Sequence, residues 1–324
     1  MTSVQHPSHN LIRPSQSATV AILMATYQGE KYLEEQLDSI AKQTYSNWRL
    51  YVSDDGSSDK TMHILNSFKS RFRGKISVSQ TQKNLGFAKN FMSLILDTSI
   101  KADYYVVSDQ DDIWLPEKIE RAVTRLTNPK NDIVPSLYFA RTRLADDSGK
   151  AIGQSPLFTI APSFSNALVQ SLAGGNTCFF NHAAKNLLLS TTLKNSQIVS
   201  HDWWLYLIVS GCGGSVVYDA IPSILYRQHD NNLVGRNNSF IGKVNRVRRL
   251  LNGDFGDWVE TNIVAIKPAK PFLTSESLAL LEFFQSLRKG AIIERVRILR
   301  KGYFLRANSI DNIFLAIAVI LKKL

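Results

Sequence analysis

The chain has 324 residues, 44% of them hydrophobic and 20% charged, and carries a formal net charge of +11. That is enough apolar material for one large α/β domain with an appendage. The two cysteines, Cys178 and Cys212, form no C-x-x-C pair, which argues against a disulfide framework or a cysteine zinc site and fits a reducing compartment.

Residues 1–17, MTSVQHPSHNLIRPSQS, are polar and lack an apolar h-region. They read as a disordered arm rather than a secretory signal. Residues 20–25 (VAILMA) read as a buried strand. A helix is expected over 30–43, with Leu33, Leu37, Ile40 and Ala41 on one face. Residues 48–53 read as a second strand ending at Asp54-Asp55-Gly56-Ser57, and a helix follows with Thr61, Ile64, Leu65 and Phe68 inward. A third strand is expected at 76–79 and a helix at 87–96, with Phe87, Phe91, Leu94 and Ile95 together. The run starting at Tyr104 is a fourth strand, and Pro116 opens the next helix, where a proline costs no hydrogen bond.

This βαβαβαβ order predicts an α/β fold on a mostly parallel mixed sheet flanked by helices, with ligands at the carboxyl ends of the strands. The polar clusters Thr26-Tyr27-Gln28, Asp54-Asp55, Asn84 and Asp109-Gln110-Asp111-Asp112 all fall at those ends. Beyond residue 135 the pattern changes. Residues 137–144 read as a strand, 146–149 as a tight turn, 201–209 as an apolar helix, and 216–218 and 224–226 as short strands. Beyond Gly235 the chain reads as helical and basic. Residues 236–324 hold 16 Lys and Arg against 7 acidic residues, whereas the first 235 hold 22 against 20. Ile292, Val296, Leu299 and Tyr303 are expected to share a helix face. The apolar run at 313–321 is too short to span a bilayer but long enough to lie in an interface.

The most informative segment is YYVVSDQDDIWLP at 104–116. Three carboxylates this close repel one another unless a cation sits between them. Asp109 and Asp111 have D-x-D spacing, which at the end of a buried strand suits a hard metal holding phosphate oxygens. One carboxylate, by contrast, suffices to cap a helix. Asp54-Asp55-Gly56-Ser57 reads either as a turn with an N-cap or as a carboxylate that accepts the imide N–H of a uracil or thymine base.

MATYQGEKYLEEQLDSI, SDDGSSDKT, NLGFAKN, SDQDDIWLPEK, GGNTCFFN, HDWW and LYRQH, in that order, resemble family 2 glycosyltransferases of the GT-A fold over about residues 18–235. The SDQDDIW, HDWW and YRQH forms are most similar to bacterial polysaccharide rhamnosyltransferases. The resemblance implies a glycosyltransferase domain at 18–235, with 236–324 as a basic helical extension. It implies that Thr26, Tyr27 and Glu30 line the nucleotide pocket, with Asp54 on the base and Asp55 near it. Asn84, Gly86 and Lys89 would flank the ribose and diphosphate. Asp109 and Asp111 would hold Mg²⁺ or Mn²⁺, with His229 as a third metal or diphosphate contact and Arg227 as a phosphate fork. Asp202 would be the catalytic base of an inverting transfer, its bland alternative being a helix cap. Gly175 and Asn176 would form the acceptor loop. Trp203 and Trp204 are either core or an acceptor wall on which a sugar ring stacks.

The expected partners are a dTDP- or UDP-linked sugar and a lipid-linked oligosaccharide acceptor, met from the cytoplasmic side of the membrane. A glycoside hydrolase would also use paired carboxylates, but hydrolysis gives no reason for Asp54-Asp55. A non-catalytic binding protein needs neither Asp202 nor a complete D-x-D. Nucleic acid is not expected, because the basic tail lacks interleaved aromatics. Its mixture of cations and apolar residues fits an anionic membrane surface better.

Overall fold

The computed structural model describes residues 17–127, 133–193, 196–229 and 253–324. The expected arm over its first sixteen residues, and the boundary at 235/236, lie outside the described residues. A seven-stranded sheet forms the centre, in the order β10-β6-β9-β4-β1-β2-β3. Its strands are β1 (Val20–Thr26), β2 (Trp48–Asp54), β3 (Ile76–Gln80), β4 (Tyr104–Ser108), β6 (Ser136–Ala140), β9 (Phe179–Asn181) and β10 (Ser215–Asp219). All pairings are parallel except those of β9, which runs antiparallel between β4 and β6.

Strands buried on both faces read as continuous apolar runs, and alternate residues enter opposite cores. Val20, Ile22 and Met24 of β1 face one core with α1 (Leu33–Ala41), α2 (Thr61–Arg71) and α4 (Lys118–Leu126). Ala21 and Leu23 face the other, with α3 (Phe87–Ile95) and α7 (His201–Gly211). Helix α1 starts three residues later than its pattern suggests. Gly29 O accepts the amides of both Tyr32 and Leu33, so the preceding residues are spent in a turn.

The strand expected at 137–144 is two strands in different sheets. The chain leaves the main sheet after Ala140 and re-enters at β7 (Arg143–Ala145) in a second sheet, ordered β5-β11-β7-β8. This sheet adds β5 (Ile113–Trp114), β8 (Ala151–Gln154) and β11 (Ile224–Arg227). The turn at 146–149 is as expected, with Gly149 N donating to Asp146 O.

Short helices α5 (Phe164–Ala167) and α6 (His182–Thr191) flank the main sheet. The basic C-terminal stretch is helical, with α8 (Asp254–Ala265), α9 (Ser275–Lys289), α10 (Ile292–Arg300) and α11 (Ser309–Ile320). Thr274 and Asn308 cap α9 and α11 by accepting amide bonds. Leu281, Phe284, Leu287, Ile298, Leu315 and Val319 join the same core as α7. The inward face of α10 differs from the expected one. Arg295 and Ile298 are buried and Val296 and Leu299 half-buried, whereas Ile292 and Tyr303 are exposed. Arg295 wins a buried place because its guanidinium donates to Val319 O and Ile320 O at the end of α11. Among the described residues, no helix is long and apolar enough to cross a membrane.

Candidate active site

The parallel register brings the carboxyl ends of β1, β2, β3 and β4 to one edge, with Thr26 beside Asp54 and Asp54 beside Gln80. β4 runs directly into Asp109, Asp111 and Asp112, and one oxygen from each lies within 4.8 Å of the others. Burial, then the neighbouring Asp111 and Asp202, push the Asp109 carboxyl up to about 7. Burial and the same carboxylate crowding also raise Asp112. Lys118, the first residue of α4, is buried against this cluster. Its Nζ donates to Asn176 O at 2.8 Å and lies over the Trp114 ring at 4.7 Å. Burial pushes Lys118 down to about 8, against the opposing pull of Asp112. His229 meets the cluster from the other side, with Nε2 2.9 Å from Asp111 Oδ2 and its ring stacked on Tyr32 at 4.9 Å.

Among the residues expected to line the nucleotide pocket, the ring of Tyr27 is 48% exposed while its backbone is clamped. Gln110, the middle residue of the D-x-D, accepts from Tyr27 N and donates to Tyr27 O. The expectation that Asp54 reads the base is not met. Asp54 is fully buried and both its oxygens are taken. Oδ1 accepts from Thr26 Oγ1 and Ser57 Oγ, and Oδ2 from Ser57 N and Gln80 Nε2. Asp55 orders the next loop, accepting from Thr81 Oγ1 and Leu85 N on Oδ1 and from Gly86 N on Oδ2. That loop carries Asn84, whose Oδ1 also accepts from Gly86 N, and Gly86 at φ +79° turns the chain into α3. Lys89 is exposed on the first turn of α3. Glu30 is exposed and accepts from Lys60 N ahead of α2.

The residues expected to form the acceptor loop, Gly175 and Asn176, lie in a 3₁₀ turn (Gly175–Thr177) against β4 and α7. Asn176 Nδ2 donates to Asp112 Oδ2 at 2.7 Å. A Cβ on Gly175 would stand 2.2 Å from His201 Nε2, so this close approach requires glycine. Asp202 lies in the first turn of α7 and accepts from Ser171 Oγ at 3.0 Å. Trp203 and Trp204 are not an acceptor wall. Both are buried in the core, where their indole N–H groups donate to Ala167 O and Thr192 Oγ1.

Arg227 also departs from its expected phosphate role. It is 2% exposed, and its nitrogens donate to Asp111 O, Asp147 O and the Glu35 carboxylate. Its guanidinium lies over Tyr32 at 4.7 Å. Arg227 therefore ties β11 to the carboxylate loop, to α1 and to the β7–β8 turn.

Residues 21–182 match the profile of Glycosyl transferase family 2. The dTDP-rhamnosyl transferase RfbG of Shigella flexneri is 30% identical over 306 residues, covering 92% of this chain and 99% of that one. The chain is a family 2 glycosyltransferase. A glucosyltransferase acting on a diphosphoundecaprenol-linked sugar, WfgD of Escherichia coli, is 33% identical over a shorter stretch, 35% of this chain and 42% of its own. Among solved structures, S. aureus TarS 1-349 aligns with a TM-score of 0.54 at 15% identity, over 94% of this chain and 88% of that one. The mannosyltransferase PcManGT from Pyrobaculum calidifontis, solved with GDP-Man and Mn²⁺, aligns with a TM-score of 0.51 at 16% identity, over 96% and 88%. The transferase thus has the GT-A fold expected from its motifs.

The donor set of the transferase fits a hard dication. The three carboxylates converge, burial disfavours the charged forms of Asp109 and Asp112, and Asp112 Oδ1 is buried without a donor among the described residues. Gln110, Lys118, Ser171 and Tyr32 belong to the site although none stood out in the sequence. Gln110 sits inside the D-x-D itself, and Lys118 follows it within the same SDQDDIWLPEK motif, which was the available signal for both.

Proposed function

We propose that this transferase moves a hexose from a nucleotide diphosphate to a hydroxyl of a growing cell-surface polysaccharide, inverting the anomeric centre. The donor that best suits it is dTDP-β-L-rhamnose, giving an α-L-rhamnoside. The similarity to a dTDP-rhamnosyl transferase over 92% of the chain supports that choice. The acceptor is a lipid-linked oligosaccharide at the cytoplasmic face of the membrane, which the region 236–324 meets peripherally.

The carrying observation is the convergence of the carboxylates that follow β4, with Asp202 near enough to raise the Asp109 carboxyl. Asp109 and Asp111, with His229 and Asp112 beside them, would hold Mg²⁺ or Mn²⁺. The bound ion supplies countercharge to a diphosphate leaving group. The chain's own residues do the rest. Tyr27 offers a ring face to the base, and Asp55 holds the loop of Asn84 and Gly86 beside it. Asp202, oriented by Ser171, takes the proton of the acceptor hydroxyl. The oxygen bonds to the anomeric carbon as the carbon–phosphate-oxygen bond breaks, and that electron pair leaves with the nucleotide diphosphate. Turnover of a panel of nucleotide sugars by purified protein with Mn²⁺ tests the reading. Asp202→Asn should bind the donor nucleotide normally and lose transfer by about 10²–10⁴-fold. Near-parental transfer by that variant would remove Asp202 from the base role.

A further inference from the structure

The last helix is apolar on both sides. Leu315, Ala318 and Val319 of α11 are buried in the core. On the opposite side Ile310, Ile313, Ile317, Ile320 and Leu321 are exposed, Ile313 by 60%. Steps of three and four residues place these five on one stripe. A surface helix ordinarily turns polar residues to water. Here the run at 313–321, IFLAIAVIL, contains none. The neighbouring α10 repeats the pattern with charge. Ile293, 73% exposed, is followed at i+4 and i+7 by exposed Arg297 and Arg300. Arg295 fixes α10 to the end of α11 through Val319 O and Ile320 O. Among the described residues, nine of the twenty exposed large apolar side chains fall between Ile292 and Leu321. That density is a patch rather than scatter.

The charge on this patch selects its occupant. Residues 288–324 hold nine Lys and Arg against Glu294 and Asp311, and Asp311 is buried. Lys322 and Lys323 are exposed directly beyond the stripe. A second copy of the chain would set these cations against their own kind. An anionic bilayer accepts both parts, the isoleucines at the acyl boundary and the cations at the headgroups.

We infer that the α10–α11 hairpin is an in-plane docking surface for an anionic lipid bilayer, and that it positions the acceptor side of the active site toward that bilayer. The connector between the two helices carries the second half of this inference. Leu305 O accepts from Asn166 Nδ2, Ala307 N donates to Gln170 Oε1, and Ala307 O accepts from Thr159 Oγ1. Gln170 immediately precedes Ser171, the partner of Asp202. The segment that orients the proposed base is thus hydrogen-bonded to the docking hairpin. The inference rests on the proposed membrane-borne acceptor for its purpose, but the docking itself is tested without donor or acceptor.

The experiment is flotation of the full chain with phosphatidylcholine vesicles, with and without phosphatidylglycerol, at low and high salt. Binding is expected only with phosphatidylglycerol, and weaker in salt. Lys322→Ser/Lys323→Ser should lower it by about fivefold for each cation removed. Ile313→Ser/Ile317→Ser should abolish it while leaving the thermal unfolding midpoint and nucleotide-sugar hydrolysis unchanged. Equal flotation of parent and variants overturns the inference, as does absence of binding to phosphatidylglycerol vesicles. So does a concentration-dependent dimer in sedimentation that the isoleucine variant dissociates. Turnover of the donor in solution reads the active site separately: lost docking with intact turnover refutes only the surface, and lost turnover with intact docking refutes only the proposed reaction.

Discussion

Replacing Arg227 separates a clamp from a phosphate ligand. The side chain is buried, and three groups lose a donor when it becomes methionine: Asp111 O at 3.1 Å, Asp147 O at 2.5 Å and the Glu35 carboxylate. An orphaned buried carbonyl costs about 1–3 kcal/mol, and Asp111 O carries most of that. Asp147 is exposed, so its carbonyl recovers part of its loss from water. The Glu35 side chain is 53% exposed, which discounts its ion pair to about 1 kcal/mol or less. Stacking on Tyr32 adds about 1–2 kcal/mol in a desolvated setting. The sum is about 3–5 kcal/mol, which for a chain of this size lowers the unfolding midpoint by about 10 °C.

Thermal unfolding of Arg227→Met and Arg227→Lys, paired with nucleotide titration, is the assay. Lysine keeps the charge but has one donor centre in place of a planar fork. A clamp therefore predicts that Arg227→Lys also melts early. A phosphate ligand predicts a near-parental midpoint in both variants with nucleotide affinity lost chiefly in methionine. That second outcome would refute the reasoning.

Three further outcomes are expected. Gly175→Ala forces a Cβ into the His201 ring, so it should cost about 1–3 kcal/mol and reduce transfer with nucleotide affinity retained; an unchanged unfolding midpoint, or no recovery in Gly175→Ala/His201→Ala, would contradict the close packing. Asp111→Ala and His229→Ala should each weaken Mn²⁺-dependent nucleotide binding by about 10–100-fold in calorimetry, and unchanged binding would remove the pair from the metal site. Asp219 is buried, which alone would raise its carboxyl, but the paired hydrogen bonds from Arg121 hold it below the ordinary 3.8; with the folded value lower than the unfolded one, its stabilisation is complete above about pH 4 and lost as pH falls through the folded value. Asp219→Asn should therefore cost about 3 kcal/mol at neutral pH and flatten the acid limb of stability against pH, and a parallel acid limb would argue against the pair.

The strands that enclose both cores were legible because a doubly buried strand must be apolar throughout, as 20–25 and 104–107 are. β8 was not, because all four of its residues are exposed and carry no burial signal. The break at Arg141-Thr142 was missed because the apolar residues 137–140 and Leu144 bracket a polar Arg-Thr-Arg stretch that a single half-exposed strand would also carry. Asp109 and Asp111 stood out through their D-x-D spacing, and Asp202 and His229 through the family resemblance alone; the structure sets His229 against Asp111. Arg227 was misread because a basic residue after a strand gives no sign of whether its donors face a ligand or the protein's own carbonyls. The tryptophans were left open for a related reason. A helix buried on every side, as 201–211 nearly is, has no periodicity to say which rings reach the cleft.

The buried link among Lys118, Asn176 and Asp112 gives the site its physical unity. Lys118 donates to Asn176 O, and Asn176 donates to Asp112 Oδ2, so one residue of the acceptor loop is held by both a cation and a carboxylate of the D-x-D segment. Burying that amine is costly enough to bring it down to about 8, a cost the fold bears at every pH below that value. A core that needed only packing would place an aliphatic side chain there at no such cost. What the amine supplies instead is a positive charge whose pull on Asp109 and Asp112 opposes, without cancelling, the upward push of burial and crowding. The turn held by that same nitrogen packs on the His201 ring at the start of α7. The D-x-D segment and the Gly175–Thr177 turn are therefore joined by a contiguous hydrogen-bonded path through Lys118, Asn176 and Asp112.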